Sequence, residues 1–347
     1  MEDISRPKSS YEKINYSLRP AKNIERKMLC EVITRLSLIQ SIEKYRYIGF
    51  GSPYFTDFVL LHKMFGIIDL ISIEKDKFNE ERFVFNKPYS CIEMMFEDSH
   101  DALTKITSWK KPTILWLDYD QRLDSNMLDD IGVFYSLACS GSMFIVTVSV
   151  KPDDFEKDDE GDIIIPKDKS IKQIRLEKFK TRISGSRLPY EIDDLNLGVE
   201  EFPKIVYKII NNEIHTALGE RNGGLSAKEK LEYKQLFNFL YNDGTLMLTI
   251  GGIIFNEKQK DKVNEMNFPS FDFVKEREEF YTIKVPSLTF KEIRYLDSFL
   301  PKKAGKQTKN SNQERKDKIE KMPLEIEDIN DYTKIYRYFP NFAESNL

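Results

Sequence analysis

The chain has 347 residues, of which 40% are hydrophobic and 32% charged, with a net charge of -4 and three cysteines. This length can bury one large core, and the composition excludes a globally disordered protein. The charge argues against a uniformly basic surface for nucleic acid, and three isolated cysteines argue against a disulfide framework. No apolar run is long enough to span a bilayer, and the start, MEDISRPKSS, lacks a signal-peptide core, so we expect a soluble, cytoplasmic protein.

The first half of the chain alternates between helical and strand patterns. In the N-terminal lead, 1–44, apolar residues spaced by three and four predict an amphipathic helix over 21–43. Strands are predicted at 45–50, 67–73, 91–96, 113–117 and 143–150, and helices near 78–86, 102–108 and 125–139. A further helix should follow the first strand, with Ser52 as N-cap and Pro53 at the first helical position. This alternation over 45–150 predicts a parallel, doubly wound sheet.

The second half is more varied. An insertion over 151–243 begins with the acidic stretch 153–162, which indicates a solvated loop, and continues with helical patterns at 170–183, 199–218 and 227–241. Over 244–300, two strands at 245–255 and 280–285 would extend the sheet to seven strands, with a charged helical piece near 257–264 between them. The final segment, 301–347, combines eight basic and three acidic residues at 302–321 with aromatic residues that either pack back on the domain or bind nucleic acid. We favour packing.

Polar residues gather where the predicted strands end. Gly49 and Gly51 follow the first strand, and Glu74, Asp98 and Asp118 close the next three. Parallel sheets bind ligands outside the carboxyl ends of their strands, and a carboxylate there can accept both hydroxyl hydrogens of a ribose. The pattern therefore predicts a nucleoside site.

Four segments in this order, YIGFGS, ISIEKD, FEDSHDAL and TILWLDYD, resemble the first four motifs of class I S-adenosylmethionine-dependent methyltransferases. The opening YSLRPAKNIERKM, followed by YRYIGFGSPYFTDF, resembles a bacterial family described as O-methyltransferases. The resemblance covers residues 15–150. It implies a Rossmann-like fold, S-adenosylmethionine as cofactor and an acceptor for the methyl group. Such sheets end in a reversed hairpin, which 245–255 and 280–285 would supply.

The resemblance also implies roles for particular residues. The methionine part of the cofactor would lie against Gly49, Phe50, Gly51 and Ser52. Glu74 would hold the ribose hydroxyls, and Asp98 with Ser99 would border the adenine. The catalytic positions, which would face the transferred methyl group, are Asp118, Tyr119 and Asp120. The sequence GFGSPYF has fewer glycines than the family's motif, and Arg19 or Lys22 would compensate by pairing with the cofactor's carboxylate.

The chemistry at the catalytic positions leaves alternatives. Asp118 or Asp120 could accept a proton or bind a divalent ion, but no third ligand is identifiable, so no metal is predicted. Alternatively, Asp120 is a surface acid that leads a helix. His100 is either a general base or a helix-start residue. The segment DYDQ lacks the D-P-P-Y pattern of amino-methyltransferases acting on bases, which favours O-methyl transfer.

Two other functions remain open from sequence alone. The chain could be a catalytically silent nucleotide- or nucleic-acid-binding module of a bacterial defence or regulatory system, which would need Glu74 and the glycine turn but not Asp118. It could also be a nicotinamide-dependent oxidoreductase, although the third glycine of that fingerprint is missing. The acceptor and the oligomeric state cannot be read from the motifs. Nucleic acid could bind through the basic C-terminal segment, and no membrane partner is expected.

Overall fold

The computed structural model describes residues 19–153, 168–183, 185–193, 195, 197–301 and 322–340. Its strands are β1 (Arg46–Phe50), β2 (Asp69–Ile73), β3 (Ile92–Met95), β4 (Thr113–Arg122), β5 (Met143–Ser149), β6 (Leu231–Asn242), β7 (Leu246–Asn256) and β8 (Tyr281–Ile283). They form one sheet in the order β3-β2-β1-β4-β5-β7-β6-β8. Strands β1 to β5 pair in parallel, whereas β7 runs antiparallel to both β5 and β6. This confirms the predicted α/β, doubly wound and mostly parallel architecture.

Helices cover both faces of the sheet. They are α1 (Pro20–Arg35), α2 (Thr56–Phe65), α3 (Glu80–Asn86), α4 (Ser99–Lys105), α5 (Ser125–Leu137), α6 (Ile171–Arg182), α7 (Phe202–Asn222), α8 (Lys260–Glu265), α9 (Phe290–Asp297) and α10 (Ile326–Ile335). None of these helices is both long and apolar enough to cross a membrane. The boundaries in the first half agree with the predicted alternation to within a few residues, with two exceptions. β4 continues past Leu117 to Arg122, and α1 ends at Arg35 and is followed by short 3-10 turns.

The core has two layers because successive residues of a strand point to opposite faces. On β4, Ile114 and Trp116 pack in the layer that contains α1 and α2, whereas Leu115 and Leu117 pack in the layer that contains α5 and α7. Both layers are continuous apolar clusters. The central strands are therefore buried on both sides, which explains why their sequences are almost uniformly apolar.

The prediction of a helix over 227–241 was wrong. Residues 231–242 form β6, which pairs along its length with β7 and carries a bulge between Gln235 and Phe237. The spacing of its aromatic and leucine side chains is compatible with a helix or with a strand. The strand forms because these side chains are buried against neighbouring strands. The span predicted as a helical insertion therefore holds two helices, α6 and α7, and one strand within its described residues. That residues 151–243 form a separate insertion remains a prediction.

The predicted reversed hairpin was also misassigned. It consists of β6 and β7, joined at Asp243 and Gly244, and not of 245–255 with 280–285. The latter segment contributes only the three-residue β8, which adds to β6 in parallel and makes an eighth strand at the edge. The class of the sheet was predicted correctly, but one strand was missed.

The turn after β1 differs from the expected helix start. Ser52 and Phe55 both have positive φ, at 46° and 47°, and α2 begins only at Thr56. Ser52 is therefore not an N-cap, and Pro53 lies in the turn. Positive φ is uncommon for residues with side chains, so this turn is held by its surroundings. Phe55 is completely buried there.

The C-terminal aromatic segment packs back on the domain, as favoured. Tyr332 and Tyr338 are buried, and the Nζ of Lys27 on α1 donates to the carbonyl oxygens of Tyr338 and Phe339 at 3.0 and 3.2 Å. The basic stretch 302–321 lies outside the described residues, as does most of the acidic stretch. Of the latter, Asp153 is buried and ion-paired with Arg182 at 2.6 Å, so at this position the expectation of a solvated loop was wrong.

Candidate functional site

The predicted site residues meet at one edge of the sheet. Strands β3, β2, β1 and β4 are neighbours and parallel, so their carboxyl ends lie side by side. In this register Gly49 lies between Ser72 on β2 and Trp116 on β4. The turn after β1, Glu74 after β2 and the far half of β4 therefore share this edge, as the sequence predicted.

The two glycines of the turn are required by close packing. A Cβ on Gly49 would lie 2.5 Å from the hydroxyl oxygen of Tyr47 and 3.1 Å from the carbonyl oxygen of Trp116. A Cβ on Gly51 would collide with the Ser72 hydroxyl and the ring of Phe55. The glycines therefore let the turn lie flat on its neighbours, whether or not a ligand approaches. Ser72 is completely buried, and its hydroxyl has no hydrogen-bond partner among the described residues.

This packing makes Gly51 a sensitive position. Gly51→Ala should lower the free energy of unfolding by about 1–3 kcal/mol, because the added methyl group overpacks a filled space. Adding Ser72→Ala removes the nearest obstructing atom and one unpaired polar group, so the double variant should recover part of the loss. Urea unfolding of the two single variants and the double variant measures this coupling. Strictly additive effects would contradict the proposed contact.

Glu74 follows β2 directly and is half-buried. Its Oε1 accepts a hydrogen bond from the backbone amide of Asp76 at 3.0 Å. Burial raises the pKa of the Glu74 carboxyl, and the backbone amides of Asp76 and Lys75 oppose that effect. The carboxylate is thus anchored through the backbone at the end of its strand.

Asp98 caps α4. Its side chain accepts a hydrogen bond from the Asp101 amide at 3.0 Å, and the residue is exposed. This capping role is structural. It also places Ser99, the first residue of α4, beside the end of β4.

Tyr119 belongs to a polar cluster with Ser99, His100 and Asp130. The Tyr119 hydroxyl donates to Asp130 Oδ2 at 2.6 Å and lies 3.2 Å from Ser99 Oγ, while His100 Nδ1 is 3.3 Å from Asp130 Oδ1. Asp130 is completely buried on α5, and this burial raises the pKa of its carboxyl. The ring of Tyr119 makes an edge contact with Phe50 at 5.1 Å. Asp130 was not among the site residues predicted from the sequence.

Asp118 faces the opposite layer. Its Oδ1 lies 2.7 Å from Lys22 Nζ, in the layer of α1, whereas Tyr119 points towards α5. Strand β4 continues to Arg122, so neighbouring residues alternate between faces. The three predicted catalytic residues therefore do not form one constellation: Asp118 and Tyr119 lie on different sides, and Asp120 is exposed. Their catalytic roles remain predictions.

The two cations suggested as partners of the cofactor's carboxylate already have carboxylates of the protein. Lys22 pairs with Asp118 and with Glu25, each at 2.7 Å, and Arg19 pairs with Asp243 at 3.1 Å. Binding a cofactor carboxylate would break or share one of these ion pairs. Lys22 and Glu25 are one helical turn apart on α1 and are both buried.

Two further features of the described structure are a groove away from the predicted site and the placement of possible metal ligands. A groove of about 390 Å³ lies between α7, the first half of β6 and residues 277–278, far from the carboxyl edge, and contains none of the predicted residues. In the described ranges, no three side chains of His, Cys, Asp or Glu lie close enough together to hold a metal ion.

The fold and the polar carboxyl edge define a Rossmann-like α/β protein with the layout of a nucleoside-binding enzyme. A family model described as "Putative O-methyltransferase" matches residues 14–347. Because the match spans nearly the whole chain, the chain belongs to this family. The predicted resemblance to methyltransferases is confirmed, and membership favours an enzyme over a silent binding module. No curated protein sequence matches the chain.

Solved structures show distant similarity in fold. A protein from Listeria monocytogenes described as a "putative S-adenosylmethionine dependent methyltransferase" is 11% identical over 67% of this chain and 98% of its own, with a TM-score of 0.37. The O-methyltransferase TomG from Streptomyces achromogenes, in complex with SAM, is 11% identical over 65% and 80%, with a TM-score of 0.33. A fibrillarin/Nop5p complex gives 12% identity over 61% and 74%, with a TM-score of 0.32. At these scores the similarity is too distant to bear on substrate or site.

Proposed function

We propose that the protein transfers a methyl group from S-adenosylmethionine to a hydroxyl group of its acceptor. The observation that carries this proposal is the family match over residues 14–347. The geometry of the carboxyl edge supports it. The glycine turn lies at the end of β1, Glu74 follows β2, and these two strands are adjacent.

The residues at this edge fit the proposed cofactor. Glu74 is an anchored, half-buried carboxylate that suits the two hydroxyl groups of a ribose. The half-buried ring of Tyr119 contacts the ring of Phe50, and its hydroxyl lies beside Ser99, so this edge offers the cofactor an apolar surface with polar groups at its border. Asp98 would lie at the outer rim of this surface, while its carboxylate also caps α4.

Methyl transfer requires the protein mainly to align the acceptor with the methyl group and to remove a proton. When bound, S-adenosylmethionine supplies a methyl group activated by a sulfonium. The chain's own residues must orient the acceptor, exclude water and take the hydroxyl proton. Asp118 suits the last task, because its side chain is 23% exposed at the carboxyl edge. Asp120, also exposed there, is available to contact the acceptor.

Calorimetric titration tests the cofactor. We expect the folded protein to bind S-adenosylmethionine and S-adenosylhomocysteine, and Glu74→Gln to weaken binding by about 10- to 100-fold, since hydrogen bonds to a charged group contribute about 1.5–3 kcal/mol. Glu80→Gln, an exposed carboxylate on α3, is the matched control and should bind like wild type. A folded wild type that binds neither compound, or that binds NADH instead, would contradict the proposal.

A transfer assay tests the acceptor atom. Purified protein is incubated with S-adenosylmethionine carrying a labelled methyl group and with an extract of its source, which is then fractionated into small molecules, protein and nucleic acid. Label bound through oxygen in the small-molecule or protein fraction supports O-methyl transfer. Label bound only to nitrogen or carbon refutes the O-methyl part of the proposal. Label in the nucleic-acid fraction would identify a nucleic-acid acceptor.

A further inference from the structure

A buried lysine connects two carboxylates at the carboxyl edge. Lys22 Nζ lies 2.7 Å from Glu25 Oε2 and 2.7 Å from Asp118 Oδ1. The side chain of Lys22 is 4% exposed, that of Glu25 is fully buried and that of Asp118 is 23% exposed. Of these three groups, Asp118 is therefore the one that reaches the surface.

The surroundings hold this arrangement in place. The Tyr241 hydroxyl lies 3.3 Å from Lys22 Nζ and 3.2 Å from Glu25 Oε2, and the Thr249 hydroxyl donates to Glu25 Oε1. Lys22 Nζ also lies over the ring of Trp116, 4.5 Å from its centroid. These groups come from β4, β6 and β7, so three strands fix the two residues of α1.

The charges around the cluster do not cancel. Besides Lys22, Glu25 and Asp118, the charged groups that face or adjoin it in the described structure form two ion pairs, Arg26 with Asp57 and Arg19 with Asp243. Each of these pairs is neutral. Lys22, Glu25 and Asp118 themselves are one ammonium and two carboxylates, so among the described residues this group carries a net charge of -1 at a largely buried position. A buried net charge is costly, and uptake of one proton removes it.

The titration behaviour of the buried members agrees with this charge count. Burial raises the pKa of the Glu25 carboxyl, although the Lys22 ammonium opposes the rise. Burial by itself lowers the pKa of Lys22, but the carboxylates of Asp118 and Glu25 more than offset it and hold that pKa well above its ordinary value. The lysine is thus charged, and a buried carboxyl has increased proton affinity.

We propose that Lys22, Glu25 and Asp118 form one proton-accepting unit for methyl transfer, with Asp118 as its surface end. The inference rests on the proposed function. The proton of the acceptor hydroxyl passes to Asp118 Oδ1. Lys22 then donates one of its own protons to Glu25 Oε2 and receives the proton of Asp118, so that the lysine regains its charge and the proton resides on Glu25. With S-adenosylmethionine bound, the acceptor oxygen would use the electron pair it keeps to bond to the methyl carbon. The bond from that carbon to sulfur would break with its pair left on sulfur, so that S-adenosylhomocysteine leaves. Asp118 is the catalytic residue, and Lys22 and Glu25 are positioning residues.

Two variants should shift proton uptake in opposite directions. Glu25→Gln leaves one cation and one carboxylate, so the pH midpoint of uptake by the unit should fall. Lys22→Met leaves two carboxylates, so the midpoint should rise. We expect shifts of about one pH unit or more, the usual effect of a charge within hydrogen-bond distance. Carboxyl 13C NMR of labelled aspartate and glutamate measures these midpoints directly, without an acceptor. Lys105→Met, at the exposed Lys105–Glu97 pair, is the control and should leave them unchanged.

A third variant covers the case in which Lys22→Met does not fold. Thr249→Val removes the hydroxyl that donates to Glu25 and changes no charge, so the midpoint should rise. Midpoints that stay at the wild-type value in both Glu25→Gln and Thr249→Val would overturn the unit.

The catalytic role is tested separately. In the labelled-methyl assay, the pH midpoint of methyl incorporation should move with the NMR midpoint in each variant. Incorporation whose pH profile does not move while the NMR midpoint does would overturn the role of the unit in methyl transfer. Failure of the proposed function has another signature, since the wild type would then not bind S-adenosylmethionine.

Discussion

Gly252→Ala is expected to lower the free energy of unfolding by more than about 3 kcal/mol. Gly252 lies on β7, opposite the bulge of β6, where two residues of β6 face one of β7. A Cβ at this position would collide with the carbonyl oxygen of Lys234 and would lie 2.7 Å from the ring of Tyr233. Because the first obstacle is backbone in the middle of a sheet, it cannot rotate away. The strands must separate or the bulge must shift.

The matched control for this substitution is Gly219→Ala. Gly219 lies exposed on α7, and a Cβ there would meet nothing within 4 Å. Alanine is the better helix former, so this variant should gain up to about 1 kcal/mol. Urea unfolding of both variants compares the same added methyl group in two settings. Equal effects in the two variants would show that the close approach at the bulge does not limit stability.

The first five strands and their helices could be predicted because their pattern is local. Each strand is a short apolar run, and the first four are closed by a glycine or a carboxylate, while each helix has its own apolar stripe. The parallel pairing then follows from the alternation itself. The carboxyl edge could be predicted for the same reason, since Gly49, Glu74 and Asp118 lie in or just after the carboxyl-terminal halves of strands that are neighbours in the sheet.

Strand β6 could not be predicted because its sequence contains no β-branched residue and carries two charged residues, Glu232 and Lys234, in its first half. Tertiary context decides there: residues 236–239 are buried between β7 and the helical layers. The pair Gly251 and Gly252 in β7 was an available signal, because glycines inside a strand often mark a bulge in a partner. A partner strand immediately before β7 would have followed from it.

The partners of the site residues were missed because they lie on other elements of the fold. Lys22 and Asp118 are separated by 96 residues, and Tyr119 meets Asp130 on another element. The sequence did contain one signal. Lys22 and Glu25 lie close to Ile24, which belongs to the apolar stripe of α1, so some charged side chains beside this stripe had to be buried. Alternation along β4 also implied that Asp118 and Tyr119 separate, once the strand was extended past Leu117.

Arg26→Met should destabilise the protein by about 3–5 kcal/mol, because it leaves a buried carboxylate without its cation. The side chains of Arg26 and Asp57 are 4% and 10% exposed, and Arg26 Nε donates to Asp57 Oδ1 at 2.6 Å. This pair joins α1 to α2, so its loss also loosens the helix that carries Lys22 and Glu25. The free energy of unfolding in urea is the measurement, with Lys105→Met at an exposed ion pair as a control that should change little.

The double variant Arg26→Met with Asp57→Leu separates the two causes of that loss. If the cost is the unpaired carboxylate, removing Asp57 as well should restore much of the stability, since no buried charge is then left without its partner. The recovery should be incomplete, because leucine is larger than aspartate and the cavity beside the pair, lined by Leu29, Cys30 and Tyr47 among others, measures only about 10 Å³. A double variant no more stable than Arg26→Met alone would instead mean that the ion pair itself fixes the approach of α1 to α2. The positions of Lys22 and Glu25 relative to Asp118 would then depend on this ion pair.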